Sequence, residues 1–173
     1  PNQSWGKRQD ALTGAYPAVI MPRMQAIAVV GRGPGCGKTL VAMTRLRLVG
    51  ARKLPAGGLK IIDCGCGYTE KHDLQSEDGT ALRAASSVEL PPLVDAPYRL
   101  APDLPPVEAL AASGLELRHE ALVSAVQEAA RFGTPVIDLT GGRDTELVPG
   151  TTTLALAEAL GGPIVYVSDR PDG

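Results

Sequence analysis

Aromatic side chains are nearly missing from this chain of 173 residues: one Phe, one Trp and four Tyr, 3% in all. A core built around large rings is therefore excluded. Hydrophobic residues still make up 44%, so Ala, Val, Leu and Ile must fill the interior. That composition suits a parallel sheet covered by helices. Cysteine is scarce too, with three residues at 36, 64 and 66. An odd, sparse set gives no disulfide framework and fits a reducing cytoplasm. Cys64-Gly65-Cys66 has the look of half a metal site, with His72 nearby, but no second Cys/His pair follows; the reading is thiols at a strand end. A basic excess is also absent. The formal net charge is −2, so no positive field marks a nucleic-acid partner. No apolar run approaches the ~20 residues of a membrane span. Residues 1–25 hold no apolar stretch of secretory type.

What is present is concentrated in residues 26–40, AIAVVGRGPGCGKTL. An apolar, β-branched run meets a glycine-rich turn, which closes on Gly37-Lys38-Thr39 and opens an amphipathic stretch. That order is strand, phosphate loop, helix. Bare N–H groups and a helix N-terminus can wrap a phosphate chain. Lys38 supplies a point charge for the β/γ-phosphates, and the Thr39 hydroxyl is placed to ligate Mg²⁺. The common spacing puts a glycine where this chain has Arg32. Gly31 stands one residue earlier, so the pattern is G-x5-G-K-T.

The rest of the chain alternates strands and helices. A first strand is expected over 26–31 and a first helix over 38–49, stopped by Gly50. Leu59 to Asp63 reads as a second strand containing Lys60. Residues 64–77 read as loop and 78–86 as a short helix. Residues 91–106 hold six prolines and exclude a central strand or helix interior. Helices follow over 107–112 and 117–132, then a strand from Pro135 to Leu139 that delivers Asp138. A helix with a threonine cap spans 151–160, and a further strand spans Ile164 to Val167. The fold class is α/β with a mainly parallel sheet flanked by helices, over residues 26–173, after an N-terminal extension of 1–25. Ligands in such sheets bind off the strand C-termini, where Gly33–Thr39, Asp63–Cys64 and Asp138–Gly142 all fall.

Three groups can share a metal with the phosphates: Thr39, Asp138 at the end of an apolar strand, and Asp78 at a helix start. For Asp78 the alternative is an N-cap, and for Asp138 a cap or turn residue. Lys60 is either an edge residue facing water or a charge aimed at the site. The spacing leaves both open.

These residues, in this order, resemble the dethiobiotin synthetase family, of the P-loop NTPase superfamily. The family shares G-x5-G-K-T after its first strand. Its Lys-x-x-x-Ser-Gly is matched by Lys60 and Cys64-Gly65. Its helix-opening aspartate is matched by Asp78. Its Pro-Tyr and proline-containing segment is matched by Pro97-Tyr98-Arg99-Leu100 through Pro106. Its acidic strand end before a glycine turn is matched by Asp138-Leu139-Thr140-Gly141-Gly142. The series covers residues 26–168. The chain departs from it at Arg-Gly-Pro-Gly-Cys inside the loop, at Cys64 for a serine, at Asp138 for a glutamate and at Val107 for a histidine. Segments that help hold the adenine base in the family are not matched.

The resemblance implies the P-loop three-layer architecture, with ATP and Mg²⁺ as cofactors. It implies closure of a cyclic urea from a small-molecule diamine, 7,8-diaminopelargonate, and CO₂. The nucleotide is expected on Gly33, Gly35, Cys36, Gly37, Lys38, Thr39 and Leu40, and the metal on Thr39, Asp78 and Asp138. Lys38 and Lys60 are the catalytic expectation; Lys60, Cys64, Thr140 and Gly141 would meet the substrate. It further implies a homodimer, with residues 91–106 and the helix at 151–160 as its surface and Leu100, Leu104 and Val107 exposed there. The strand at 164–167 would leave a sheet edge for another chain to cover. Two other classes stay open: a small-molecule kinase, which usually carries an arginine-rich lid, and a non-catalytic nucleotide-binding relative.

Overall fold

The structure, a computed structural model, describes residues 26–168; the expected extension over 1–25 and residues 169–173 lie outside them. The chain opens with β1 (Ile27–Gly31) and, after the glycine turn, α1 (Lys38–Ala51). Then come β2 (Ala56–Leu59), β3 (Ile62–Cys64), a small hairpin of β4 (Gly67–Tyr68) and β5 (Leu74–Gln75), and α2 (Glu77–Ala85). The proline-rich stretch forms α3 (Pro92–Asp95), β6 (Tyr98–Leu100) and the start of α4 (Pro106–Ala112). The last elements are α5 (His119–Ala130), β7 (Thr134–Asp138), β8 (Glu146–Val148), β9 (Thr151–Thr152), α6 (Thr153–Ala159) and β10 (Ile164–Val167).

The central sheet has the order β10-β1-β7-β2, and all three of its pairings are parallel. Alternating side chains decide which layer each residue joins. Val29 and Val136 pack with Ala42 and Leu46 of α1 and Leu82 of α2. Ala28, Val30 and Ile137 point the other way and pack with Leu122 and Val126 of α5 and Leu156 of α6. Each fully buried leucine contributes roughly 1.5–3 kcal/mol. The result is the expected three-layer α/β architecture, built almost without rings.

Several boundaries differ from the sequence reading. The expected second strand, Leu59 to Asp63, is two strands in different sheets. β2 pairs with β7 up to Leu59↔Ile137. The chain then leaves the sheet: the Lys60 N–H donates to the Asp95 carbonyl at 2.8 Å. β3 pairs with β6 instead. The stretch 64–77 carries the β4–β5 hairpin rather than loop alone. α1 runs past Gly50 and turns over at Lys53, whose φ is +58°. The 151–160 helix begins only at Thr153, with Thr152 as its cap, accepting from the Ala155 N–H at 3.2 Å. Leu100 is not exposed: it is 1% accessible and packs in its own core, whereas Leu104 is exposed and Val107 half-buried. β10 is an edge strand with Ile164 and Tyr166 exposed.

β2 is the strand that local propensity would not choose, because it contains Gly57-Gly58. Packing explains it. A Cβ on Gly58 would stand 2.7 Å from Leu82 Cβ and 2.9 Å from Leu46 Cδ1, so α1 and α2 close directly on bare backbone. Gly58→Val is expected to cost about 1–3 kcal/mol through overpacking. Urea unfolding checks it: the midpoint falls while the denaturant dependence stays unchanged.

Candidate functional site

The turn between β1 and α1 leaves hydrogen-bond donors free for an anion. Gly37 caps α1 at φ +91° with no side-chain cap, so among the described residues the first helical N–H groups have no side chain to satisfy them. Lys38 is buried, and its ammonium donates to the Gly33 carbonyl at 2.7 Å. The lysine stem crosses Gly31. A Cβ there would lie 2.7 Å from Lys38 Cδ and 2.5 Å from Cys36 Sγ, which accounts for the early glycine of G-x5-G-K-T. Gly35 and Leu40 are exposed, while Gly33 and Cys36 are half-buried. The Leu40 side chain points to water, so only its backbone belongs to the turn.

Beside the turn, Asp138 ends β7 with no accessible surface. Its Oδ2 accepts the Thr39 hydroxyl at 2.7 Å and the Lys60 ammonium at 3.0 Å. Lys60 Nζ also lies 2.6 Å from Asp78 Oδ2. Lys60 is 4% accessible, which decides between its two readings: it is the charge aimed at the site. Burial works against its ammonium, but Asp138 and then Asp78 outweigh that and hold its pKa above the ordinary lysine value. Asp138 Oδ1 is buried with no hydrogen-bond partner among the described residues. Asp78 is not the cap of its helix. Ser76 is: its hydroxyl oxygen accepts the Gly79 N–H at 2.7 Å. The Ser76 O–H donates to Asp63 Oδ2 at 2.6 Å. Ser76 was not singled out from the sequence, although a serine just before Glu77-Asp78 is a cap signal.

The turn after β7 closes on the same place. A Cβ on Gly142 would meet the Arg32 carbonyl at 2.5 Å, so the two turns touch backbone to backbone. The Thr140 hydroxyl donates to the Ile62 carbonyl, tying this turn to β3. Thr140 therefore presents backbone, not a free hydroxyl. The structure thus brings Lys38, Thr39, Lys60, Asp78, Asp138 and the 140–142 turn to one end of the parallel sheet.

No family model matches the chain. Curated proteins do. An ATP-dependent dethiobiotin synthetase from Anaeromyxobacter dehalogenans (strain 2CP-C) is 34% identical over 146 residues, covering 84% of this chain and 63% of the relative. The synthetase of Xanthomonas axonopodis pv. citri (strain 306) is 34% identical over 143 residues, 82% of this chain and 63% of its own. That of Xylella fastidiosa (strain 9a5c) is 32% identical over 147 residues, 83% and 64%. The chain is related to the dethiobiotin synthetase family. It spans a little under two thirds of the length of these relatives.

Two of the departures named from the sequence, Asp138 and Cys64, end strands of the fold. Asp138, for a glutamate, keeps its carboxylate one methylene closer to its own strand. Cys64, for a serine, ends β3 as a half-buried thiol. Burial, then the neighbouring Asp63 carboxylate, push Cys64 up to about 11 and Cys66 up to about 12. Both are neutral thiols at physiological pH, not thiolates. Burial also raises the Asp63 carboxyl above the ordinary 3.8, against the Ser76 hydrogen bond and Lys60.

Lys60→Met would leave Asp138 buried without its cation and is expected to cost about 3–5 kcal/mol of stability. The pH dependence has a definite sign. The folded pKa of Lys60 is raised above the ordinary 10.5, so its contribution is complete below that value and is lost only as pH climbs toward the raised one. Urea titrations of both proteins should show a gap that is flat from about pH 6 to about pH 9 and shrinks only in alkali.

Proposed function

We propose that this chain carries the nucleotide and diamine site of an ATP-dependent cyclo-ligase. The relatives' name gives ATP and dethiobiotin; the full reaction we infer is 7,8-diaminopelargonate, CO₂ and ATP to dethiobiotin, ADP and phosphate. One observation carries the reading. Asp138 draws Thr39 from 99 residues away and Lys60 from 78 residues away onto a single buried oxygen, beside a turn whose lysine and helix N-terminus suit a triphosphate.

The chemistry fits those groups. One amine of the substrate takes up CO₂ as a carbamate, a weak electrophile. A carbamate oxygen attacks the γ-phosphorus of ATP and ADP leaves. The second amine attacks the carbamoyl carbon; the C–O bond to phosphate breaks, a proton is lost and the cyclic urea closes. Lys38 would leave Gly33 and neutralise the transferring phosphoryl group. Lys60 would hold the carbamate, with the Cys64 thiol and the backbone of Thr140 and Gly141 against the substrate. The Gly33–Leu40 turn would hold the phosphates. Mg²⁺ fits the oxygens of Thr39, Asp78 and Asp138, and the partnerless Asp138 Oδ1 supports that placement. A divalent ion held there supplies charge neutralisation during phosphoryl transfer. The site of action would be the cytoplasm; no helix among the described residues is long and apolar enough to cross a membrane.

Calorimetry with ATP·Mg²⁺ tests the loop. The parent binds, and Lys38→Ala weakens binding by at least about tenfold, the loss of one charge-assisted hydrogen bond; equal affinities would remove the assignment. Supplying diaminopelargonate, bicarbonate and ATP tests the reaction. The expected products are ADP and dethiobiotin, and ATP turnover indifferent to the diamine would refute it. ADP release with another acceptor would favour a kinase, and nucleotide binding without turnover a non-catalytic relative.

The homodimer belongs to the same reading. Leu104 at 42% accessible and the half-buried Val107 would be covered by a twin subunit. Light scattering at micromolar concentration should give twice the chain mass. A fully active monomer would exclude a shared site.

A further inference from the structure

Behind α2 lies a cavity of about 270 Å³ that the site above does not use. Its walls come from α2, the β4–β5 hairpin, α3 and β6. Ser76, Gly79, Thr80 and Arg83 line it at helical spacing, so one face of α2 forms a wall. Asp78 leaves the same helix toward Lys60. The cavity and the candidate site are thus connected through α2.

The cavity wall carries two arginines and two aspartates, and one of each is joined in an ion pair. Asp95 is completely buried. Arg83 brings its Nε to Asp95 Oδ2 at 2.5 Å and its Nη2 to the same oxygen. One carboxylate oxygen thus takes a whole guanidinium edge. Asp95 Oδ1 has no access to water and no side-chain partner among the described residues, and the adjoining Ala96 N–H favours its charged form. A second guanidinium, Arg99 of β6, also lines the cavity. It is half-buried, and among the described residues it makes no hydrogen bond or ion-pair contact, though its charge acts on Asp95. The second carboxylate of the lining, Asp73, is exposed in the turn between β4 and β5. Thr69 adds a hydroxyl whose oxygen already accepts the Asp73 N–H at 3.2 Å, so its own proton can be donated.

A half-buried guanidinium fork without an acceptor matches a planar or tetrahedral oxyanion, which it can grip through two parallel N–H donors. We propose that this cavity is a second binding site, for a small phosphate- or carboxylate-bearing ligand. The Arg99 fork would hold the anion, with the Arg83 Nη1 that Asp95 leaves unused and the Thr69 hydroxyl beside it. A ligand seated there bears on α2 and so on the helix that carries Asp78.

The test is made in the Lys38→Ala chain, so that phosphate binding at the β1–α1 turn does not mask the result. Inorganic phosphate and, separately, succinate are titrated while the arginine Nε–H resonances are followed by NMR. A saturable shift of the Arg99 and Arg83 signals with either anion supports the site, and the arm that saturates names the chemistry. Arg99→Gln should then weaken binding by about tenfold or more, the loss of a bidentate charged contact. Arg131→Gln, which removes an exposed cation paired with Glu128, should leave binding unchanged. Arg99→Lys keeps the charge without the fork; it too must weaken binding, and it serves if the glutamine variant does not fold. Saturation by neither anion, or affinity untouched by both Arg99 substitutions, would overturn the proposal.

Discussion

A carboxylate with none of its surface in water governs this molecule. Asp138 sits at the end of β7, between β1 and β2 in the sheet. A buried charge of this kind is costly unless a counter-charge and hydrogen bonds reach it. Both come from elsewhere in the chain: Thr39 from the first helix and Lys60 from the exit of β2. Satisfying one side chain thus requires β1, β2 and β7 to end at the same level on the same side. The parallel order of the sheet and the assembly of the site are one requirement met once. Asp78, reaching Lys60 from α2, adds the fourth element to the same tie.

The parts of this arrangement that are local in sequence were legible there. β1, its glycine turn and α1 follow from fifteen contiguous residues, and Asp138 from a short apolar strand before Gly141-Gly142. The orientation of Lys60 was not legible, because a lone lysine between leucine and isoleucine has the same pattern whether it faces water or a carboxylate. Only the kink between β2 and β3, fixed by the Asp95 carbonyl and the β6 pairing, turns it inward. β2 was hidden for a different reason. Gly57-Gly58 has little strand propensity, and its strand character comes from Leu46, Leu82 and Leu90, which lie on it from distant positions. The β8–β9 pairing is too short for any periodicity to show. Leu100, taken as exposed within a proline-rich segment, is buried because that segment folds into β6 and pairs with β3.

α2 is tied to the rest of the molecule on two faces, with little sequence to declare them. Its cap, Ser76, links Gly79 inside the helix to Asp63 outside it. That link sets the angle at which the helix enters, and hence where Asp78 arrives. The opposite side is anchored through Arg83 to Asp95, whose own backbone carbonyl holds the Lys60 N–H. Asp95 thus touches both the helix that delivers one partner of Lys60 and the backbone of Lys60 itself. Changes in α3 would be felt in the site without any residue of α3 entering it.

The contact between Lys38 and the Gly33 carbonyl bears on the thermodynamics of anion capture. A phosphate arriving at this turn would not meet a solvated cation; it would displace an acceptor already in place. One hydrogen bond is exchanged for another, so that contact contributes little net enthalpy. The discriminating quantity becomes the ligand's charge, since a polyanion attracts the ammonium more strongly than a neutral carbonyl does. On the proposed function, the turn would sort ligands by valence before shape. Because the ammonium is buried, salt would screen the long-range approach of a polyanion more than the contact itself.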